Sequence, residues 1–280
     1  MKNTIATSLQ QKATTFRQLH ERSGIFVAPN PWDAGSAKML AALGFDALAT
    51  TSAGLAFMLG RPDGEGKISR EEALSNSAAI AAAVNIPVSG DLENGYGDDP
   101  EDCAETILLA AKSGLVGCSI EDNTSNPADP IYAFDLSVER IKAAVSAARS
   151  ISFPFTLTAR AENLIHGRID MKDTLLRLEA FADAGADVLF APGLTTREEI
   201  STAVRAISPK PLNVLMGLKG PTYSVEELAE MGVKRISLGS IMARVAYGGF
   251  YKAAEELHSK RNFDFAAAVV PYDFINDMFK

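Results

Sequence analysis

The chain has 280 residues and a mass of 29.8 kDa, a length that an α/β barrel fills alone. Apolar residues make up 47% and charged residues 22%, enough to bury a full core and too apolar for a disordered chain. With 27 Lys+Arg against 35 Asp+Glu the net charge is -8, which argues against a general nucleic-acid binder, because that function needs a basic face.

The first segment, about 1–23, reads as a helix that precedes the first strand, and it lacks the apolar core of a signal peptide. Short apolar runs at 24–30, 47–52, 87–94, 117–122, 155–163, 187–193, 211–216 and 235–240 read as buried parallel strands. Amphipathic stretches lie between them. Ser69-Arg-Glu-Glu, Thr196-Arg-Glu-Glu and Ser224-Val-Glu-Glu are helix starts, each with an N-cap hydroxyl ahead of acidic first-turn residues. Gly44, Gly114, Gly185 and Gly232 each end a helix and lead through an apolar residue into a strand.

Eight such β/α units predict a closed (β/α)8 TIM barrel, α/β in class. A doubly wound open sheet is the competitor, but no GxGxxG follows the first strand. No linker, low-complexity tract or charge block divides the chain, so residues 1–280 are expected to form one barrel domain. Residues 241–280 exceed one final barrel helix and predict an extra C-terminal helical element. Its stretch 263–279 carries Phe263, Phe265, Val269, Val270, Phe274, Ile275 and Phe279, which predicts burial against the barrel wall or a neighbouring subunit.

Cys103 and Cys118 form neither a CxxC pair nor a disulfide framework, and three histidines do not make a His-rich metal site. No stretch reaches about 18 consecutive apolar residues, so a cytoplasmic protein with no membrane partner is expected.

A barrel places its chemistry where strands end and βα loops begin. Four predicted strand ends carry polar residues: Thr50-Thr51-Ser52-Ala53-Gly54, Gly90-Asp91-Leu92-Glu93, Ser119-Ile120-Glu121-Asp122 and Thr158-Ala159-Arg160. On an extended strand Asp91 and Glu93 share one face, and Glu121 on the next strand converges on them. Three converging carboxylates repel unless a cation sits among them, and hard oxygen ligands without His or Cys select Mg2+ or Mn2+. Helix capping is the competing role for such carboxylates. Arg160 suits bidentate recognition of a substrate carboxylate, or else a structural ion pair with Glu121, Glu162 or Asp187. Ser52, Ala53 and Gly54 read as an anion nest or a plain turn. Asn213 reads as an amide donor to the same carboxylate or as an internal bridge.

Asp91-Leu-Glu93-Asn-Gly95-Tyr96-Gly97, with Ser119-Ile-Glu121-Asp122 and Thr158-Ala-Arg160 following, resembles the isocitrate lyase/phosphoenolpyruvate mutase superfamily. Leu59-Gly60-Arg61-Pro62-Asp63 and Val233-Lys-Arg-Ile-Ser-Leu-Gly239 also fit, and the resemblance runs from about Ala28 to Arg244. It implies a barrel whose last helix is exchanged within homodimers or homotetramers. It implies Mg2+ or Mn2+ on Asp91, with Glu93 and Glu121 holding the ion's waters. Ser52 and Gly54 would hold the carboxylate or adjacent oxygen of a 2-oxo or 2-hydroxy acid, with Arg160 opposite and Asp63 on a mobile loop near the reacting bond. The implied chemistry makes or breaks a C–C or P–C bond through a metal-stabilised enolate.

The chain also departs from the superfamily's branches. The isocitrate and methylisocitrate lyases carry Lys-x-Cys-Gly-His after strand four, where this chain reads Asn123-Thr-Ser-Asn126-Pro-Ala-Asp129-Pro-Ile-Tyr132. The lysines of the phosphonate branch are missing there too, and Glu93 replaces the commoner Asp. The expectation that remains is a metal-assisted lyase, decarboxylase or hydrolase of a small 2-oxo dicarboxylate such as oxaloacetate or a substituted malate. Phosphonopyruvate or phosphoenolpyruvate P–C chemistry, and a metabolite-binding barrel without turnover, are the alternatives. Asp63, Tyr96 and Tyr132 are candidate proton donors to the enolate.

Overall fold

The computed structural model describes residues 7–217 and 220–280. Residues 1–6 of the expected first helix lie outside that range. The helix itself, α1 (Leu9–Glu21), starts at a Ser8/Gln11 capping box. Eight strands follow: β1 (Phe26–Val27), β2 (Leu48–Ala49), β3 (Val88–Asp91), β4 (Gly117–Glu121), β5 (Thr156–Arg160), β6 (Val188–Phe190), β7 (Leu212–Leu215) and β8 (Arg235–Ser237). All pair in parallel in the order β1-β8-β7-β6-β5-β4-β3-β2. The two ends of this curled sheet meet through single bonds rather than a ladder. The Ala49 N–H donates to the Pro29 carbonyl at 3.1 Å, and Asn30 Nδ2 donates to the Thr50 carbonyl at 2.8 Å. The architecture is the expected (β/α)8 fold.

The crossover helices are α2 (Ala34–Ala42), α4 (Arg70–Ala83), α5 (Pro100–Lys112), α6 (Phe134–Ser150), α7 (Met171–Asp183), α8 (Arg197–Ile207) and α9 (Val225–Glu230). The start signals read from sequence are present: Ser69, Thr196 and Ser224 each accept the N3 backbone N–H of their helix. Gly44, Gly114, Gly185 and Gly232 all have left-handed φ at the helix ends, a conformation that costs glycine least. The strands are shorter than the apolar runs. At the upper end of the barrel the backbone leaves the ladder to form loops, and an additional helix, α3 (Ser52–Met58), fills what the sequence reads as a plain loop mouth.

Most of the core lies between the strands and the crossover helices. A second cluster seals the bottom of the barrel, where Ala13, Phe16 and Leu19 of α1 pack on Phe26, Ala28, Ala47 and Val116. Gly117 makes this possible. A Cβ there would meet the Thr156 carbonyl oxygen at 2.5 Å and the Phe16 ring at 3.1 Å.

The C-terminal region corrects one expectation. α10 (Ile241–Lys260) buries only Ala243, and a short 3-10 turn (Asp264–Ala268) and α11 (Tyr272–Met278) follow it. Phe263, Val269, Val270 and Phe274 are exposed, so within one chain this stretch does not pack on the barrel wall. Its anchor is slight: the Phe279 ring lies close to Gly35, and Lys38 Nζ donates to the Phe279 carbonyl at 3.3 Å.

Candidate active site

The upper end of the barrel holds a cavity of about 180 Å³. Its wall includes Ser52, Ala53, Asp63, Asp91, Arg160 and Asn213, six of the residues singled out from sequence. Asp91, the last residue of β3, is the hub. Its Oδ2 accepts from the Ser52 N–H (3.0 Å) and hydroxyl (2.9 Å). Its Oδ1 accepts from Ser119 Oγ (3.2 Å) and Arg160 Nη1 (2.7 Å), while its own N–H donates to Thr50 Oγ1 at 2.9 Å. Ser52, Ser119 and Arg160, from three different segments, therefore aim one carboxylate, while Thr50 anchors the Asp91 backbone; Thr50 and Ser119 both belong to the polar strand ends read from sequence.

Arg160 ends β5 and is also claimed by the protein's own acids. Its Nη2 lies 3.1 Å from Glu121, and its Nε donates to Glu162 at 2.8 Å. Burial works against its charge, but Glu121, Glu162 and Asp91 outweigh burial and raise its pKa above the usual arginine value. Two of the three carboxylates foreseen as structural partners are found there. The third, Asp187, pairs with Arg149 at 2.7 Å instead.

Glu93 needs a correction. β3 stops at Asp91, so the two residues are not alternate positions on one extended strand. Glu93 has φ +46 and Tyr96 has φ +62, a left-handed turn that carries the chain away from the sheet. Glu93 thereby faces a neighbouring recess with Tyr96 and Ser125, yet it stays within the field of Asp91 and Asp63. The buried Arg140 holds this turn from behind. It donates to the carbonyls of Asn94, Asp98 and, at 2.9 Å, Gly97, and it stacks on the Tyr132 ring at 4.2 Å. Tyr132 is itself committed to the turn: its hydroxyl donates to Asp98 and accepts from Asn94. Of the candidate proton donors, Asp63 lines the cavity, and Tyr96 lines the neighbouring recess with its hydroxyl buried and without a partner among the described residues.

The expected anion nest is partly engaged. Ser52 N–H serves Asp91, and Gly54 N–H donates to the N-cap hydroxyl of Thr51 at 3.2 Å, which leaves Ala53 with a free position on the wall. Gly54 is required by packing, since a Cβ would lie 2.5 Å from Thr51 Cγ2 and 2.9 Å from Trp32 Cβ. Cys118 is a free thiol buried in β4.

The electrostatics are unbalanced toward negative charge. Burial pushes the pKa of Glu93 up to about 7, and the Asp91 and Asp63 charges add to the effect. Burial likewise raises Glu121 and takes Glu162 to about 7. Asp63 stays exposed at the cavity mouth, where crowding by the surrounding chain and then the Asp91 charge raise its pKa. Around Arg160, then, Asp63, Asp91, Glu93, Glu121 and Glu162 cannot all ionise comfortably without further positive charge. That donor set, all oxygen with neither His nor Cys, fits a hard divalent cation. Among the described residues no three acidic, His or Cys side chains converge closely enough to form a ligand cage by themselves. Asp91, facing the cavity, is the residue that could take such an ion; both its oxygens already accept hydrogen bonds, Glu121 is paired with Arg160, and Glu93 lines the neighbouring recess.

Deep in the cavity lies a residue that sequence reasoning passed over. Arg235 opens β8, lines the cavity floor and is 4% exposed. Burial and the Arg160 charge lower its pKa to about 10. Arg235 lies in the stretch 233–239 that supports the resemblance, but a charge at the start of an apolar strand singles it out no more than its neighbour Lys234.

The sequence profile described as phosphoenolpyruvate phosphomutase matches residues 16–258. The chain belongs to the phosphoenolpyruvate mutase family. It is thus a member of the isocitrate lyase/phosphoenolpyruvate mutase superfamily, whose related proteins are lyases and mutases. One solved structure, from Burkholderia cenocepacia and provisionally described as a lyase/mutase, is 55% identical, with a TM-score of 0.94 over 97% of this chain and 96% of that one. The 2,3-dimethylmalate lyase of Eubacterium barkeri is 29% identical over 79% of this chain and 77% of its own length. A structure of oxaloacetate acetylhydrolase with its product oxalate is 26% identical, with a TM-score of 0.87 over 98% of this chain and 94% of that one. No helix among the described residues is long and apolar enough to cross a membrane.

Proposed function

We propose that this family member is a divalent-metal-dependent enzyme that cleaves the C–C bond next to the carbonyl of a small 2-oxo or 2-hydroxy di- or tricarboxylic acid, with oxaloacetate and alkylmalates as the leading substrates. The observation that carries this reading is the Asp91 hub, where Ser52, Ser119 and Arg160 converge beside surplus carboxylates in a cavity sized for a small acid. The likeness to 2,3-dimethylmalate lyase and to oxaloacetate acetylhydrolase supports the same class.

A divalent ion bound at Asp91 would supply Lewis-acid stabilisation of the negative charge that develops on the substrate oxygen during cleavage. The chain's own residues do the rest. Ser52, Ser119 and Arg160 hold Asp91 in one orientation, so its carboxylate needs no reorganisation during the reaction. Ala53 and Asn213 border the space the acid would occupy. Asp63, at the mouth, is the carboxyl placed to exchange a proton with the reacting carbon.

The test is product formation from oxaloacetate, 2,3-dimethylmalate and phosphonopyruvate, with Mg2+ or Mn2+ and again with EDTA. Turnover of one of the first two, abolished by EDTA and restored by metal, is the expected result. A panel that stays inert with metal present removes the reading; turnover of phosphonopyruvate alone replaces it with P–C chemistry.

The same reading includes a cytoplasmic homodimer or homotetramer. Its support is the row of exposed apolar side chains on α10 and beyond, among them Val245, Phe250, Tyr251 and Phe274. A second copy is the occupant that would cover them. Phe250→Asp should yield monomers in light scattering, and a variant that stays fully oligomeric rejects this mode of assembly.

A further inference from the structure

Two arginines enter the barrel, and they differ in their company. Arg160 meets three carboxylates, while Arg235 forms no ion pair among the described residues. Arg235 Nε donates to Asn213 Oδ1 at 2.8 Å, and its Nη2 donates to Thr158 Oγ1 at 3.2 Å. Its Nη1 is buried with no hydrogen-bond partner. A guanidinium withdrawn from water without a counter-charge is strongly unfavourable, and proteins retain one where something else balances it.

The bonds made by Arg235 also set a direction. A guanidinium only donates, so Asn213 must present its oxygen to Arg235 and its NH2 to the other side. That NH2 donates to Ser237 Oγ at 2.9 Å. With one lone pair so engaged, the Ser237 hydroxyl keeps its proton free to donate, and Ser237 lines the same cavity as Asp91. The chain Arg235 to Asn213 to Ser237 therefore ends in a polarised donor with a full positive charge behind it. Asn213 and Arg235 are register partners on neighbouring strands, and Asn213 is completely buried, so the relay is rigid.

We propose that Arg235 is a positioning residue for substrate selection: its buried charge, relayed through Asn213 and Ser237, is balanced by a second carboxylate of the substrate. The acid would lie with one end at the Asp91 hub and its other carboxylate on Ser237. The site would then favour dicarboxylates over monocarboxylic 2-oxo acids. This rests on the reading of the cavity as a carboxylic-acid site.

The experiment titrates succinate, an unreactive four-carbon dicarboxylate, and pyruvate, a monocarboxylate, into the full-length protein with Mg2+, by calorimetry and by thermal shift. The wild type is expected to bind succinate more tightly than pyruvate. Arg235→Met and Ser237→Ala should each weaken succinate about tenfold, the scale of a hydrogen bond to a charged group, and leave pyruvate within about twofold. Without ligand, Arg235→Met should melt at the same temperature as the wild type or higher, since a buried unpaired charge has been removed. A purely structural Arg235 gives the reverse pattern, a lower melting temperature with succinate binding intact, and overturns the proposal. So does equal succinate affinity in wild type and Ser237→Ala, while the carboxylic-acid reading stands. If the wild type binds neither acid, that reading fails first and the proposal falls with it.

Discussion

The two ends of the barrel are built on opposite principles. The bottom is dry: α1 lays Phe16 and Leu19 across Phe26 and Val116, and His20 sits among the same aromatic rings, 4.8 Å from Phe16 and 5.0 Å from Phe26. The top gathers Asp63, Asp91, Glu93, Glu121 and Glu162 around one guanidinium. The bottom gains stability from area removed from water. The top gives up stability, because buried like charges oppose folding, and holds a preorganised field in return. Stability and function are thus separated along the barrel axis, and substitutions at the two ends should separate them as well.

The largest expected effect is at the top. Asp91→Asn keeps the shape but removes the central charge, and should lower kcat/KM by about a thousandfold or more, comparable to loss of a key electrostatic group elsewhere. Its urea midpoint should stay at or above that of the wild type. A variant that lost stability together with activity would show that the hub is structural and blur the contrast. At the bottom, Phe16→Ala should cost about 3–5 kcal/mol in urea unfolding, with the remaining folded protein fully active.

The two ends should also answer pH with opposite sign. Burial pushes His20 down to about 3 from its usual 6.5, and its Nδ1–H is spent on the Phe16 carbonyl. Between those values the unfolded chain takes up a proton that the folded chain refuses, so stability is lost as pH falls below about 6.5. His20→Leu should remove that loss, gaining about 2 kcal/mol on the wild type between pH 7 and pH 5. Glu93 and Glu162, raised to about 7, work the other way. They hold protons when folded that the unfolded chain has released, and their contribution is lost as pH rises from 4.5 through 7. Added Mg2+ should therefore raise the melting temperature more at pH 8 than at pH 6; an equal shift at both would detach the ion from these carboxylates. The smallest effect is local and belongs to neither end: Thr196→Ala, which deletes the α8 N-cap, should cost about 1 kcal/mol without changing turnover.

Much of this was legible from residues alone, because the relevant signals are short-range. Caps at Ser69, Thr196 and Ser224 and the glycines that close the helices report the backbone next to them. Strand-end acids at Asp91 and Glu121 follow from where apolar runs stop. The inference about Glu93 failed because alternation holds only while the chain stays extended, and the left-handed turn begins at Glu93 itself, two residues after Asp91. For the C-terminal aromatics only the barrel-wall alternative falls: an apolar sequence says that a surface seeks cover, not which surface supplies it.

The amino-acid order by itself determined the eight β/α units, the acid-rich strand ends and the family, since each is written in local periodicity or contiguous motifs. Only the folded barrel decided that Arg160 answers to Asp91, Glu121 and Glu162 and that Arg235 answers to no acid at all. Partners of that kind depend on which strands become neighbours and on how much water each charge loses, and both are set by the packing of segments far apart in the chain.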